Sequence, residues 1–449
     1  MDPRDANLCT RHPHALGLWN PTYSFQSLAR VTGFLSGRGC SPKDPLDRIE
    51  LRLGYQGDEM ALTELSAGQH ASTMTEYVTE RGRAAAAFGS RGPIRYDAEG
   101  ELHPDILADF ETNGFYIFEK VIADDEIRAL RDAVEDTIER APSPPDSDTD
   151  AQGRPALGLD YPMSPYIFIK PLSDPWGGTK LLSGRHPVKM SEPTPDADAP
   201  TQVVHLLLQM CTSMPEALCL YGHPDLLTIA EAINGPDFVP YNDSIFVKKP
   251  GMGGSVAWHQ DGATHWDNPD WYPGIHGFNF QVQLYPTTPA NALWIVPGTH
   301  AEGRIDIRAR VEANEGGERL PDAIPLVTDA GDVTIVSRQM LHGSFANTSP
   351  DPRVSITFGF YPHSSVLGVS GGLNISLDAK SGREKFYDAE HIRRRSAVVQ
   401  VAVDARHQAR PDERRYSYAP FAGVEDEYRY GPETIASVLS DYTLYDIAL

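Results

Sequence analysis

Residues 256–262 read VAWHQDG, an apolar run that ends in a His-x-Asp pair, and the meaning of His259 and Asp261 depends on what surrounds them. With 15 His and 62 Asp plus Glu among 449 residues, composition alone gives about two His-x-acid coincidences (15 × 62 / 449). Five occur: His103/Asp105, His223/Asp225, His259/Asp261, His265/Asp267 and His300/Glu302. The pairs at His103 and His223 are His-Pro-Asp turns that open helices, His265 lies in the turn-rich THWDNPDW, and His300 follows the Pro-Gly turn of IVPGTH as a structural residue. Only His259 follows a strand-like run. Residues two apart on a strand face the same side, so His259 and Asp261 would offer an imidazole and a carboxylate to one point.

Working outward, short apolar or alternating runs recur between turn signals: SIFVKKPG (244–251), FNFQVQLYP (278–286), ALWIVPG (292–298), GDVTIVS (331–337) and RVSITFGFYP (353–362). That spacing predicts a mainly β fold, an antiparallel sandwich or jelly roll with flanking helices. Upstream, residues 59–88 read as helical, and NGFYIFEKVI (113–122) holds a short strand. After it, Ile127, Leu130, Val134 and Ile138 make one apolar stripe, with Asp124, Asp125 and Glu126 at the positive end of the helix dipole. Residues 141–155, rich in Pro, Ser, Asp and Gly, read as a mobile loop, and 223–234 as a second helix. Beyond about 375 the chain turns mixed, with helix-like KFYDAEHIRRRS (385–396), in which Arg393 to Arg395 read as a solvated basic face. We expect an N-terminal extension over 1–100 acting as a cap or interface, a core over 101–370, and a C-terminal extension over 371–449 packing on it.

The formal charge of −23 is spread along the chain, which disfavours a nucleic-acid or anionic-membrane surface and would repel a polyanionic substrate. No apolar run has the length of a signal peptide or of a membrane span, so the expectation is a cytoplasmic protein with no membrane partner. Cys9, Cys40, Cys211 and Cys219 lack C-x-x-C spacing, which argues against a zinc knuckle or disulfide scaffold and suits a reducing compartment.

A third ligand is available in GDVTIVSRQMLHGS, where His342 lies just past the VTIV strand. Two His and one carboxylate with open positions form the facial set of non-haem Fe(II) oxygenases, although zinc or manganese could occupy it. The turn-rich ANTSPDP (346–352) then leads to Arg353, so His342 and Arg353 bracket what reads as a β-hairpin. That pairing would bring a guanidinium near the metal. Arg353 and Ser355 share a strand face, and an Arg fork with a hydroxyl suits a carboxylate. A dicarboxylate spanning metal and Arg353 describes 2-oxoglutarate.

Taken together, NGFYIFEKVI with its following helix, VKKPG, WHQDG, ALWIVPGTH, LHGS and Arg353 resemble the phytanoyl-CoA dioxygenase-like Fe(II)/2-oxoglutarate oxygenases from about Asp105 to Pro362. The resemblance implies a double-stranded β-helix, or jelly roll, with His259, Asp261 and His342 as iron ligands. It also implies Arg353 on the distal carboxylate of 2-oxoglutarate, with Ser344 assisting. Two departures stand out. The family's Asn-Gly turn is Asn291-Ala292 here, and the strand position that often carries an aromatic beside the cosubstrate is Gln281. Gln281 is a cosubstrate contact or a plain structural polar residue.

The expected reaction is oxidation of a C–H bond in a small organic molecule, hydroxylation by default. Iron serves as cofactor, 2-oxoglutarate and O2 are consumed, and succinate and CO2 are released. Retention of Asp261 argues against a halogenase, while desaturation, epoxidation and cyclisation stay open. Trp258, Trp266, Trp271 and Tyr272 flank the ligands as core or as substrate wall. A metal-dependent cupin-like isomerase or hydrolase would need the triad without Arg353, and a non-catalytic jelly-roll binding protein would need neither. The acidic surface disfavours acyl-CoA, and the long extensions suit a natural-product substrate.

Overall fold

Alternation decides which side of each strand meets the helices. In RVSITFGFY, Val354, Ile356 and Phe358 join the main hydrophobic core while Arg353, Ser355 and Thr357 turn to the other face. Phe278, Phe280 and Val282 do the same opposite Asn279, Gln281 and Gln283.

The computed structural model describes residues 65–262, 277–371 and 385–447, all within a compact unit that spans 60–449. The strands are β1 (Arg91–Gly92), β2 (Phe115–Phe118), β3 (Tyr166–Ile169), β4 (Val203–Leu208), β5 (Val239–Lys248), β6 (Val256–His259) and β7 (Phe278–Gln283). There follow β8 (Trp294–Ile295), β9 (Ile324–Pro325), β10 (Val333–Ser337), β11 (His342–Ser344), β12 (Arg353–Tyr361), β13 (Val369–Gly371) and β14 (Lys385–Tyr387). Eight strands form a major sheet in the order β1-β2-β10-β7-β12-β5-β4-β3, and β6-β11-β8-β9 form a minor one. β1 runs parallel to β2, and the remaining pairs of the major sheet are antiparallel. The expected jelly-roll architecture is thus present as two sheets facing across a cavity, with no closed barrel among the described strands.

Helices cover the outer faces: α1 (Ala67–Phe88), α2 (Pro104–Asn113), α3 (Asp124–Glu139), α4 (Met210–Ser213), α5 (Pro215–Tyr221), α6 (Pro224–Asn234), α7 (Ile307–Ala313) and α8 (Ala389–Ala409). Both His-Pro-Asp turns open helices as read: His103 Nδ1 accepts from Asp105 N at 3.3 Å before α2, and His223 Nδ1 from Asp225 N at 3.2 Å before α6. The stripe on α3 is observed, with Ile127, Leu130 and Val134 buried and Ile138 partly so. Ser66 and Gln69 form a capping box at α1, and Tyr77 of that helix stacks on Trp294 of the minor sheet at 5.0 Å. The part of the helical reading before residue 65 lies outside the described residues.

Three readings change, and the loop over 141–155 gains a centre. His342 and Arg353 do not bracket a hairpin, because β11 pairs with β6 and β8 whereas β12 pairs with β5 and β7 in the other sheet. Arg353 therefore reaches the site across the sandwich. Strands β3 and β4 were not expected, because YIFI and VVHLLL lack the clean alternation of a half-exposed strand. β4 is buried throughout. Residues 141–155 fold around Asp150, whose carboxylate accepts N–H bonds from Gln152 and Arg154 at 2.9 Å each and from Arg154 Nε at 2.6 Å. Finally, Arg395 is not solvated: it is fully buried, with Nε 2.9 Å from Asp446 and Nη2 3.7 Å from Asp243, because α8 runs beneath the C-terminal segment.

Candidate active site

β6 and β11 lie side by side with His259 and His342 as register partners, which brings the two rings to 4.1 Å between centroids. Asp261 follows His259 by two residues, and its backbone N–H donates to Arg338 O at 2.8 Å. Between the two, Gln260 points away. Its amide donates to Gly303 O and Gln339 O and its oxygen accepts from Ile305 N, which fixes the backbone between the ligand candidates. Asp261 Oδ1 is then 3.5 Å from His259 Nε2 and Oδ2 is 3.9 Å from His342 Nε2, and one donor atom from each residue lies within 4.8 Å of the other two.

The hydrogen bonding behind each ring suits a cation. His259 Nδ1 lies 2.8 Å from Ala257 O and His342 Nδ1 2.8 Å from Met340 O. A carbonyl only accepts, so each Nδ1 carries a proton and each Nε2 faces the gap. Burial, then the neighbouring His259, pushes His342 down to about 4. Burial alone would raise Asp261, but Arg338, His259, His342 and Arg185 together hold it well below the usual carboxylate range. Two imidazole Nε2 atoms and one carboxylate are the donor set of the facial arrangement, and these residues fit Fe(II).

Asp261 is also heavily supported. Asn279 Nδ2 donates to its Oδ2 at 2.7 Å, Arg338 Nη1 lies 3.9 Å from the same oxygen, and Arg185 Nη1 lies 3.6 Å from Oδ1. Arg338 is stacked over Tyr241, 4.0 Å from the ring centre.

At the other end of the cavity sits Arg353, 2% exposed. Its Nη2 donates to Gln281 Oε1 at 3.2 Å and to Ser355 Oγ at 3.5 Å, while its Nε has no hydrogen-bond partner. Its register partner Lys248 is buried too, with Nζ donating to Ser344 Oγ and Phe345 O, both at 2.7 Å. Burial brings the Arg353 guanidinium down to about 10, and burial with the Arg353 charge pushes Lys248 well below its ordinary value. Among the described residues no carboxylate lies within ion-pair distance of either. A chain of net charge −23 thus buries two adjacent basic groups that, among its described residues, have no carboxylate in contact.

All seven residues expected at the site, His259, Asp261, His342, Arg353, Ser344, Ser355 and Gln281, come together around this cavity. Trp258 does not: it turns to the outer face of β6, fully buried against Phe345, with Nε1 donating to Glu318 O. Trp266, Trp271 and Tyr272 lie outside the described residues. His300 is structural, with Nε2 bonded to Glu111 O at 2.9 Å. Arg185, His186 and Arg338 were missed, and nothing in SGRH (183–186) or SRQM (337–340) distinguishes them locally. Asn279 was legible only as one of the inward polar residues of FNFQVQ.

The family model described as Phytanoyl-CoA dioxygenase (PhyH) matches residues 110–355, more than half the chain. Phytanoyl-CoA dioxygenase 1 of Oryza sativa subsp. japonica is 29% identical over 24% of this chain and 40% of its own length, so the match spans less than half of that relative. Ectoine dioxygenase of Bordetella parapertussis is 23% identical over 62% of this chain and 83% of its own. Among solved structures, EctD from S. alaskensis with 2-oxoglutarate and 5-hydroxyectoine is 18% identical. It covers 62% of this chain and 82% of that one, at a TM-score of 0.42. No described helix is long and apolar enough to cross a membrane. By the match over residues 110–355, the chain belongs to the phytanoyl-CoA dioxygenase family of non-haem Fe(II)/2-oxoglutarate-dependent dioxygenases.

Proposed function

We propose that this protein hydroxylates a C–H bond of a small organic molecule, of natural-product type, with His259, Asp261 and His342 holding Fe(II) and Arg353 pairing with the distal carboxylate of 2-oxoglutarate. The observation that carries this reading is the buried guanidinium of Arg353, without an acidic partner among the described residues, in the cavity that holds the three donors. Leaving such a charge unpaired is costly, and a dicarboxylate would remove that cost. When bound, iron with 2-oxoglutarate and O2 supplies an oxidant able to take hydrogen from a C–H bond, with succinate and CO2 as co-products.

The protein's own residues position and shield. Ala257 O and Met340 O each accept from Nδ1, so that Nε2 of each imidazole is the atom offered to the metal, and Asn279 restrains Asp261. Gln281 and Ser355 hold one arm of the Arg353 fork, so that its remaining donors face the cosubstrate. Ser344, engaged by Lys248, adds a polar contact at the same end. Burial of the whole set excludes water, which strengthens each of these interactions. An isomerase or hydrolase would use the triad but leave Arg353 and Lys248 without a role. The test is to titrate 2-oxoglutarate into the anaerobic Fe(II) protein and follow the metal-to-ligand absorption band. Candidate substrates are then screened for succinate release. We expect a band that saturates at one 2-oxoglutarate per chain; iron binding without any such band would reject the reading.

A further inference from the structure

We propose that Arg185 and His186 form a receptor for a carboxylate on the primary substrate. This deepens the dioxygenase reading and rests on it. Both residues come from the connection between β3 and β4, and both line the cavity that contains the triad and Arg353. His186 is 1% exposed, its ring lies 4.2 Å from that of His259, and neither of its nitrogens has a hydrogen-bond partner among the described residues. A neutral imidazole always presents one N–H and one acceptor, and leaving both unmet in a buried site costs free energy that a ligand can recover. The adjacent Arg185 Nε is also buried without a partner. Two consecutive side chains therefore present unmet polar atoms beside the ligand candidates.

Charge points the same way. Asp261 carries one negative charge and faces two guanidinium groups, Arg338 near Oδ2 and Arg185 near Oδ1. Arg338 is the fixed one, fully enclosed and stacked on Tyr241. Arg185 keeps 17% of its side chain exposed, and Asp261 is the only acid within ion-pair distance of it among the described residues. A divalent ion on Asp261 would weaken that attraction and leave Arg185 as the surplus cation at the mouth of the site.

The class of ligand follows from counting. The distal end of 2-oxoglutarate would be met by Arg353 and its other end by the metal, so Arg185 is left for a second anion. One guanidinium matches one negative charge, and its planar fork matches a planar carboxylate. The overall charge of −23 would repel a phosphate-rich substrate, whereas a monoanion needs only this local cation.

The experiment uses the Fe(II)·2-oxoglutarate protein without O2, at saturating iron. The probes are linear and aromatic monocarboxylic acids, each paired with its primary amide, and the readout is perturbation of the 2-oxoglutarate absorption band. At least one acid should bind about tenfold or more tightly than its amide, the margin of a charge-assisted contact over a neutral one. Arg185→Gln should erase that preference, Arg185→Lys should restore part of it, and His186→Phe should weaken the acid while sparing the amide. Equal binding of acid and amide, or no response to any acid, overturns the assignment. So does an Arg185→Gln variant whose loss appears in 2-oxoglutarate affinity instead, which would give Arg185 to the cosubstrate. Absence of the band in the wild type would reject the dioxygenase reading, and this assignment with it; a normal band without acid selectivity rejects this assignment alone.

Discussion

Asn279 of β7 donates its side-chain amide to Asp261 Oδ2 at 2.7 Å, so the major sheet holds in place a carboxylate that belongs to the minor one. Partners of this kind orient a ligand. Asn279→Ala is expected to weaken Fe(II) binding by on the order of 10–100-fold. Anaerobic competition against a chelator measures it, and an unchanged iron affinity would remove Asn279 from the metal's support.

His342→Ala removes one of three proposed donors and should abolish turnover, since two donors leave a weak and misoriented site. Asp261→Gly should likewise end hydroxylation. Succinate release in the presence of substrate reports both, and full activity in either variant would mean that the residue is not a ligand.

Arg353→Ala leaves the distal carboxylate of 2-oxoglutarate unpaired in a buried site, at a cost of ~2 to 5 kcal/mol. The affinity for 2-oxoglutarate should fall by on the order of 30-fold or more, at ~1.4 kcal/mol per decade. Iron binding should hardly change, and Arg353→Lys should recover only part of the loss because an ammonium lacks the planar fork. A 2-oxoglutarate titration of Arg353→Ala that superimposes on wild type would reject this anchor.

Stability should depend on pH through His205. Burial, then Lys248 and Arg353, pushes its pKa from 6.5 to about 3. An unfolded chain protonates this imidazole as pH falls through about 6.5, whereas the folded protein keeps it neutral to about 3. Across that window the unfolded state binds more protons, so stability is full above about pH 6.5 and is lost progressively below it. His205→Phe should flatten the acid limb of a urea-denaturation profile taken between these limits. The same acid slope in variant and wild type would contradict the assignment.

Arg393 and Arg395 should respond very differently to mutation, although they are two residues apart on α8. Arg395→Met strips a buried partner from Asp243 and Asp446, a change on the order of 3–5 kcal/mol. Arg393, exposed and lying over Phe421, should cost under about 1 kcal/mol when replaced by Ala. Chemical denaturation of the two variants distinguishes them, and similar midpoints would put Arg395 back among surface residues.

What the sequence reveals of the site follows chain distance. A strand's two-residue period is a local property and suggests His259 with Asp261, although β6 ends at His259; His342 is suggested by the VTIV strand before it, although it opens β11 itself. Arg353 does line the cavity, but the sequence reaches it through the wrong geometry. Its separation from His342 suggests a turn between paired strands, and only sheet assembly reveals that the two strands belong to opposite sheets. Arg185 and His186 carry no local signal, since an irregular connection between two unexpected strands delivers them. Arg395 misleads for a related reason: three arginines in a row look solvated until distant Asp243 and Asp446 are brought beside one of them.

The alternation along β5 and β12 also constrains how such an enzyme can diversify. Lys248 and Arg353 stand one step from Val247 and Val354, which belong to the core. A slip of one residue would exchange cations for valines on both faces at once. Oxidative chemistry and structural integrity are thus spelled in alternate letters of the same strands, and neither can drift without the other. The connection between β3 and β4 follows no such alternation, although Trp176 and Met190 anchor it in the core. On the proposal that Arg185 and His186 receive the substrate, changes there would alter which molecule is oxidised while the strands keep the reaction.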